Sequence, residues 1–249
     1  MIHIVKQFLL ISIATLFIYS CKFKSDSSAT LQPGSMGVLS LTTQFYDSSG
    51  TSIFLAPMKI WYKDSVAIEE LVTIKSITDT FGKTEESFVP EAYRYINLKR
   101  HSWQLYITLS DTARIIESGA LPDSVFVDGG WTFYANNMRM ESDPELMPDS
   151  IIGETKYMRI KFFRLNARIP DSYVIGYLRC DKKENLFSLE KTYSHSVNCA
   201  MTRYYEFKNG ASRPFASTEL EFLSDTLTEK ELKVFAAWEK NSVQNKKAP

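Results

Sequence analysis

Few residues of this chain have the type and spacing that catalysis or metal binding requires. Beyond residue 20 there are two histidines, His101 and His195, and each stands beside a serine with no second ligand-type residue close in sequence. Metal sites usually combine several His, Cys or carboxylate side chains at short spacing. We therefore predict that both histidines are turn or surface residues, and that the protein has no metal site and no cofactor.

Acidic side chains gather in the segment 141–149, where oxygen ligands for calcium could assemble. Pro144 and Pro148 interrupt the segment, and it lacks the glycine of an EF-hand loop. We interpret it as a surface loop or a boundary between domains, with its carboxylates in solvent. Those carboxylates belong to Glu141, Asp143, Glu145 and Asp149.

Two pairs of adjacent glutamates, Glu69-Glu70 and Glu85-Glu86, are the remaining candidates for acid–base chemistry. Neighbouring residues on a strand point to opposite faces, so neither pair can flank a glycosidic bond by itself. The sequence also lacks the G-x-S-x-G and H-E-x-x-H motifs of hydrolases. The catalytic residues of an enzyme would therefore have to meet only in the fold.

Aromatic residues on strand-like segments form a third group of candidates. Exposed on one face, such rings could stack on sugars or anchor a partner protein. Alternating positions on a strand favour core packing, and we expect that role for most of them. The residues concerned are Tyr93, Tyr95, Trp103 and Tyr106 in one region and Tyr204, Tyr205 and Phe207 in another.

The amino-terminal segment has the parts of a secretory signal. A basic residue, Lys6, precedes the apolar run Phe8–Tyr19, which is too short to span about 30 Å of hydrocarbon. The run ends in Ile18-Tyr19-Ser20-Cys21, which resembles the lipobox of bacterial lipoproteins. The resemblance implies cleavage before Cys21, diacylglyceryl transfer to its thiol and acylation of the new amino terminus, with palmitate as a typical acyl group.

Several acyl chains hold a protein stably at a membrane, so the resemblance implies a lipid-anchored envelope protein. The residue after the cysteine is Lys22. In lipoproteins of bacteria with two membranes an Asp there usually signals retention in the inner membrane. The predicted location is therefore the outer membrane, facing the periplasm or the exterior.

The residues after the tether are numerous enough for either one large β domain or two small ones. The predicted organisation is a signal peptide (1–20), a polar tether (21–37), a β-rich domain (38–241) with a subdivision near 141–155, and a disordered tail (242–249). The formal net charge of the chain is zero, so electrostatic attraction to nucleic acid is weak and no nucleic-acid partner is expected.

Hydrophobic residues alternate with polar ones along most of the domain, which predicts antiparallel strands. We expect a mainly β fold, either a sandwich or a curved half-barrel, with one amphipathic carboxy-terminal helix. Thr228 and Glu231 predict a capping box at the start of a helix from Glu229 to about Asn241. The predicted strands are Val38–Tyr46, Met58–Lys63, Ala67–Ile74, Tyr93–Leu98, Trp103–Leu109, Tyr157–Leu165, Tyr173–Cys180 and Met201–Phe207, with hairpins at 125–134 and at Asn209-Gly210.

Once Cys21 is assigned to lipid, Cys180 and Cys199 remain as a pair that an envelope compartment could oxidise. A simple meander with a strand at 186–193 would place them at opposite ends of the sheet, beyond the ~7 Å between Cα atoms that a disulfide tolerates. The disulfide and the meander therefore exclude each other, and both remain open at the level of sequence.

The sequence thus favours a non-enzymatic binding or structural module of the envelope, held to the membrane by its lipid. Its partner would be another envelope protein or a glycan. The alternatives are a hydrolase of glycans or peptides and a carrier that shelters acyl chains against a curved sheet.

Overall fold

A computed structural model describes residues 35–78, 80–121, 140–164, 169–180, 188–190 and 192–244. Cys21 with its signal and tether, the hairpin predicted at 125–134 and residues 245–249 lie outside the described residues. No helix among those described is both long enough and apolar enough to cross a bilayer.

The described residues form one open antiparallel sheet of 11 strands in the order β6-β5-β4-β3-β2-β1-β11-β10-β9-β8-β7. The mainly β, antiparallel fold class is therefore confirmed, as a single sheet rather than a two-sheet sandwich. The strands are β1 (Met36–Tyr46), β2 (Ser52–Lys63), β3 (Val66–Thr78), β4 (Thr84–Asn97), β5 (Ser102–Tyr106), β6 (Ile115–Ala120), β7 (Glu145–Ile152), β8 (Thr155–Phe163), β9 (Ser172–Arg179), β10 (Ala200–Lys208) and β11 (Ala216–Ser224).

The two ends of the domain meet in the middle of the sheet. The first strand, β1, pairs with the last strand, β11, from Val38↔Ser224 to Phe45↔Ala216. From this seam the chain winds outward through β2 to β6 on one side and through β10 to β7 on the other. The fold therefore rests on a contact between strands that are far apart in sequence.

The segment predicted as a loop or domain boundary instead contributes an edge strand of the same sheet. β7 pairs with β8 from Glu145↔Lys161 to Ile152↔Thr155, and the register shifts between Met147 and Ser150. Pro148 lies within that irregularity. Because proline cannot donate a ladder hydrogen bond, strands tolerate it at edges and bulges, and this position satisfies both conditions.

The predicted carboxy-terminal helix is present as α2 (Glu229–Gln244) and begins with the predicted capping box. The Glu231 carboxylate accepts hydrogen bonds from the Thr228 backbone N–H at 2.7 Å and from its hydroxyl at 2.8 Å. In return, the Glu231 backbone N–H donates to Thr228 Oγ1 at 3.3 Å. Val234, Phe235 and Trp238 of α2 are buried against the sheet, whereas Ala236 is exposed.

The connection between β9 and β10 decides between the two alternatives for the cysteines. A strand at 186–193 is wrong: residues 188–190 are not extended ladder residues, and a short helix, α1 (Thr192–Ser196), follows. β9 and β10 are therefore direct neighbours. Cys180 follows β9, Cys199 precedes β10, and a disulfide joins them with their Cα atoms 4.3 Å apart.

Alternation along the strands gives the sheet two different faces. We call the side that carries Leu39, Ile60 and Ile96 the apolar face, and the side on which α2 packs the helix face. On the helix face, Trp238 of α2 stacks on Tyr106 with ring centroids 3.8 Å apart and donates to the Ser110 carbonyl at 2.9 Å. The helix thus covers strands β1 to β5 on that side.

Candidate functional site

The apolar face carries two clusters of buried side chains that together extend from β5 to β8. Strand pairing places them on one side of the sheet. Thr43, on the same side of β1 as Leu39, pairs with Thr218, and Thr218 pairs with Tyr204. Tyr204 pairs with Gly176, which pairs with Ile160. The first cluster contains Leu39, Ile60, Tyr62, Ala67, Ile96, Leu121 and Leu220, and the second contains Ile160, Phe162, Val174, Leu178, Cys199 and Met201.

Leu189 links the two clusters, because it is a half-buried member of both. Its backbone N–H donates to the Met201 carbonyl at 2.9 Å, and Ser188 Oγ accepts from the Met201 N–H at 2.9 Å. These bonds lie at the start of β10, beyond the positions at which β10 pairs with β11. The β9–β10 connection therefore extends the apolar layer across a place where two strands diverge.

The layer is not fully covered at its margins. Phe45 at the end of β1 is 40% exposed, and Leu146 on edge strand β7 is 66% exposed. Both lie on the apolar face, since Phe45 pairs with Ala216 and Leu146 with Ile160. Further half-buried members are Leu41, Met58, Leu98, Trp103, Phe222, Met140 and Met158.

A glycine allows a large side chain to lie flat against this face. A Cβ added at Gly119 on β6 would come within 2.9 Å of Trp103 Nε1. The indole of Trp103 occupies that space and donates to the Ala120 carbonyl at 3.1 Å. Trp103 thus packs over β6 at the one position of that strand that has no side chain, Gly119.

Two ion pairs lie within or beside the apolar layer. Arg94 on β4 donates to the Glu69 carboxylate on β3, and both side chains are buried. At the other end of the sheet Arg164 pairs with Glu206 at 2.8 Å, with both side chains mostly buried. Desolvated charges must be paired, so these contacts fix strand positions rather than offer free charge.

The adjacent carboxylates of Glu69 and Glu70 lie on opposite faces, as predicted. Glu70 accepts a hydrogen bond from the Lys59 backbone N–H at 3.3 Å on the helix face. Burial raises the pKa of the Glu70 carboxyl above its usual range, and the contact with Lys59 opposes this. The two acids therefore cannot act together on one substrate.

One cavity formed by described residues lies at the β4–β5 turn and is lined in part by Ser242, near the end of α2. It has a volume of about 350 Å³. Its lining mixes polar side chains with the apolar surface of Trp103, Gly119 and Ala120. The lining residues are Arg100, His101, Ser102, Trp103, Gln104, Ser118, Gly119, Ala120 and Ser242.

His101 lies where its sequence context indicated, whereas His195 lies in a helix and the acidic segment forms part of an edge strand. His101 is an exposed turn residue with φ of 50°, and His195 lies in α1. On the β7–β8 hairpin Asp149 pairs with Lys156 at 2.8 Å. Among the described residues no group of three or more His, Cys, Asp or Glu side chains could hold a metal ion.

The aromatic residues divide between the core and the surface of the helix face. Tyr95 and Tyr106 are buried beneath α2, and burial raises the pKa of Tyr106 to about 12. Tyr204 packs into the second apolar cluster. Tyr205 and Phe207 belong to a different surface, which we call the aromatic platform: Tyr157, Tyr173, Tyr177, Tyr205 and Phe207, on β8 to β10 of the helix face.

Sequence reasoning identified only two members of this platform. Tyr157, Tyr173 and Tyr177 come from strands that were predicted correctly, but their registers relative to β10 were unknown. The signal that could have indicated a functional face is the set of alternate positions Tyr157, Arg159, Lys161 and Phe163, which puts aromatic and basic side chains on one side of a strand.

No protein-family model and no characterised protein matches the sequence. Similar solved structures include a LolA superfamily protein from Nitrosomonas europaea (11% identity, TM-score 0.29, 83% of this chain and 92% of that chain). Lipoprotein LppX of Mycobacterium tuberculosis is 10% identical, with a TM-score of 0.33 over 81% of this chain and 92% of that one. A domain from Vibrio parahaemolyticus described as an outer-membrane lipoprotein-sorting protein is also 10% identical, with a TM-score of 0.25 over 82% and 91%. Similarity this remote establishes neither a shared family nor a shared activity.

Proposed function

We propose that the protein is a non-enzymatic, lipid-anchored envelope protein that binds a ligand bearing an acyl or similar apolar chain on the apolar face of its sheet. The observation that carries the proposal is the extent of that face. Buried and half-buried apolar side chains continue from β5 to β8, and Leu189 joins the two clusters. This is the arrangement expected of a carrier.

Apolar contact supplies the driving force for such a ligand. Each buried CH₂ group contributes about 0.8 kcal/mol, so a chain laid across several strands would gain several kcal/mol. Phe45 and Leu146, at the margins of the face, offer apolar area that a bound chain would remove from water. The floor beneath it is already ordered, which lowers the entropic cost of binding.

The charged groups of the apolar face support binding rather than hydrolysis. Glu69 accepts two hydrogen bonds from Arg94 on one carboxylate oxygen. Glu70, whose raised pKa would suit a general acid, lies on the opposite face. The hydrolase that the sequence left open therefore finds no support in these two acids.

The proposed location rests on the amino-terminal sequence. Cys21 and its surroundings resemble a lipobox, and Lys22 agrees with delivery to the outer membrane. An acyl-chain ligand is plentiful there. The anchor and the binding face are separate proposals and have separate tests.

The binding proposal is tested with the full chain, extracted in detergent and returned to detergent-free buffer by dialysis. We expect saturable binding of a fluorescent fatty acid, and release of lipid from the native protein in mass spectrometry. Phe222→Ser, on the apolar face, should weaken probe binding.

Leu223→Ser is the matched control, because Leu223 is the next residue of β11, 46% exposed and on the other face. It should leave binding unchanged. Equal effects of both variants, or no saturable binding by a wild-type protein that is folded by circular dichroism, would refute the proposal. Recovery of a stoichiometric protein partner without bound lipid would favour the structural role instead.

A further inference from the structure

The five aromatic rings of the platform lie next to one another on strands β8 to β10, on the part of the helix face away from α2. A sixth ring, Phe163 of β8, makes an edge contact with Tyr173 at 6.3 Å. Tyr173 and Phe207 stack with ring centroids 5.2 Å apart and planes at 8°. Tyr177 makes edge contacts with Tyr157 at 6.1 Å and with Tyr205 at 5.6 Å. Except for Tyr157, the five rings of the platform are half-buried, and none belongs to the apolar clusters of the described residues.

Basic side chains of β8 lie over this aromatic platform. The Arg159 guanidinium is 5.4 Å from the centre of the Tyr177 ring, and Lys161 Nζ is 4.9 Å from that of Tyr173. Such cation–π contacts hold a cation beside a ring without neutralising its charge. The platform thus combines flat apolar rings with positive charge.

The cations differ in their acidic partners. Lys161 has Glu145 at 3.9 Å, and Arg203 pairs with Glu219. Arg159 has no carboxylate within ion-pair distance among the described residues; its Nη2 lies 4.0 Å from the Met147 sulfur, and its Nε has no acceptor. A half-buried guanidinium without an anion is costly, so an anionic ligand would stabilise it.

We propose that the aromatic platform is a binding site for an acidic glycan, a sugar chain whose residues carry carboxylate groups. The C–H face of a pyranose ring packs against an aromatic ring, and the phenolic hydroxyls can hydrogen-bond to sugar hydroxyls. A planar guanidinium binds a carboxylate in bidentate fashion. Tyr177 and Arg159 are a cross-strand pair, with the guanidinium 5.4 Å from the ring centre, so the two groups can contact one sugar residue and its carboxylate together.

This site is distinct from the apolar face, because the two lie on opposite sides of the same strands. On β9, Val174 and Leu178 point to the apolar face while Tyr173 and Tyr177 point to the platform. Loss of one kind of binding therefore does not require loss of the other.

The test measures binding of the full-length protein to polygalacturonate and to its methyl ester, which keeps the sugar chain but lacks the carboxylate charge. Affinity gel electrophoresis or calorimetry should show binding to the acid form and much weaker binding to the ester. The affinity should fall as salt is raised, since screening weakens charge pairing.

Three variants locate the site. Arg159→Gln should weaken binding about tenfold or more, as expected for a lost charge-assisted pair. Tyr177→Ala should weaken it as well, whereas Tyr177→Phe should retain most of it because the stacking ring remains. Lys233→Gln on α2 removes the same charge from a distant surface, where Lys233 pairs with Glu229, and should have no effect.

Several outcomes would overturn the proposal. These are no binding of the acid polymer by the folded wild-type protein, equal binding of acid and ester, or an Arg159→Gln variant that binds normally. An equal loss in Lys233→Gln would show diffuse charge attraction instead of a site. Binding to anionic lipid vesicles but to neither polymer would assign the platform to a membrane surface and refute the glycan.

Discussion

Arg94 donates two hydrogen bonds to one oxygen of Glu69, from Nε at 3.1 Å and from Nη2 at 2.8 Å, in a layer of apolar side chains. Strand pairing places Glu69 opposite Ile60 and Arg94 opposite Leu105. The ion pair therefore ties β3 to β4 at a position where neighbouring strands contribute apolar residues.

The energetics of this pair are asymmetric. Removing one partner leaves the other charge buried and is expected to cost about 3–5 kcal/mol, whereas replacing both with apolar residues is often close to neutral. We predict that Arg94→Met strongly lowers the free energy of unfolding and that adding Glu69→Leu restores much of it. Urea unfolding of the two single variants and the double variant measures this. Additive losses would contradict it.

Glu70 makes the free energy of unfolding depend on pH, with a contribution that is most favourable at low pH. Burial raises its native pKa above 4.5, so the native state binds the proton more tightly than the unfolded chain. Its contribution is then most favourable at low pH and declines as the pH rises through the native pKa. Glu70→Gln keeps an acceptor for the Lys59 N–H without the charge.

We therefore expect Glu70→Gln to raise the unfolding midpoint at pH 7 and to have little effect at pH 4. Thermal unfolding across this range is the measurement. Glu221→Gln is the control, because Glu221 is exposed on β11 of the same face. A gain at pH 7 that persists unchanged at pH 4 would exclude the proposed cause.

The capping box stabilises the protein with a pH dependence opposite to that of Glu70. Burial opposes ionisation of Glu231, but hydrogen bonds from Thr228 and from Trp61 Nε1 lower its pKa. Its stabilisation is present above the usual pKa of 4.5 and is lost as the pH falls through the lower native value. Thr228→Ala should cost about 1 kcal/mol at neutral pH, while Thr228→Ser should be nearly silent in denaturant unfolding.

Local patterns predicted most of the individual elements of this fold. The capping box was predicted correctly because its two residues, Thr228 and Glu231, lie within four positions of each other in the sequence. β11 was not predicted, although polar and apolar residues alternate along Ser217–Leu223. Pro148 led us to predict a loop, whereas the structure has a bulged edge strand there. A proline excludes a central strand, but the sequence does not say which strands are edges.

The binding surfaces could not be predicted, because they depend on register between distant strands. Tyr205 meets Tyr177 only because Arg203 pairs with Tyr177 across the β9–β10 ladder. The pairing of Cys180 and Cys199 was uncertain for the same reason. A strand at 186–193 would have placed them at opposite ends of the sheet, whereas their Cα atoms are 4.3 Å apart. Composition indicated many aromatic residues, but not that five of them share one surface.

The Cys180–Cys199 disulfide closes the connection that carries Leu189 onto the apolar face. With a sequence separation of 19 residues, the chain-entropy estimate of its stabilisation is about 3 kcal/mol. We predict that the Cys180→Ser/Cys199→Ser double variant unfolds at lower denaturant concentration, and that reductant shifts the wild-type protein to the same midpoint. An unchanged midpoint in both cases would show that the connection is held by its hydrogen bonds alone.

The anchor is tested in cells with labelled palmitate. Cys21→Ser removes the only thiol that the lipobox resemblance assigns to lipid, so we predict an unprocessed precursor that incorporates no label. Cys180→Ser is the matched control, since it removes a cysteine of the folded domain and should leave labelling intact. Lys22→Asp separates anchoring from sorting: it should keep the label while moving the protein from outer-membrane to inner-membrane fractions. Labelling of the Cys21→Ser variant at the wild-type level would rule out this cysteine as the attachment site.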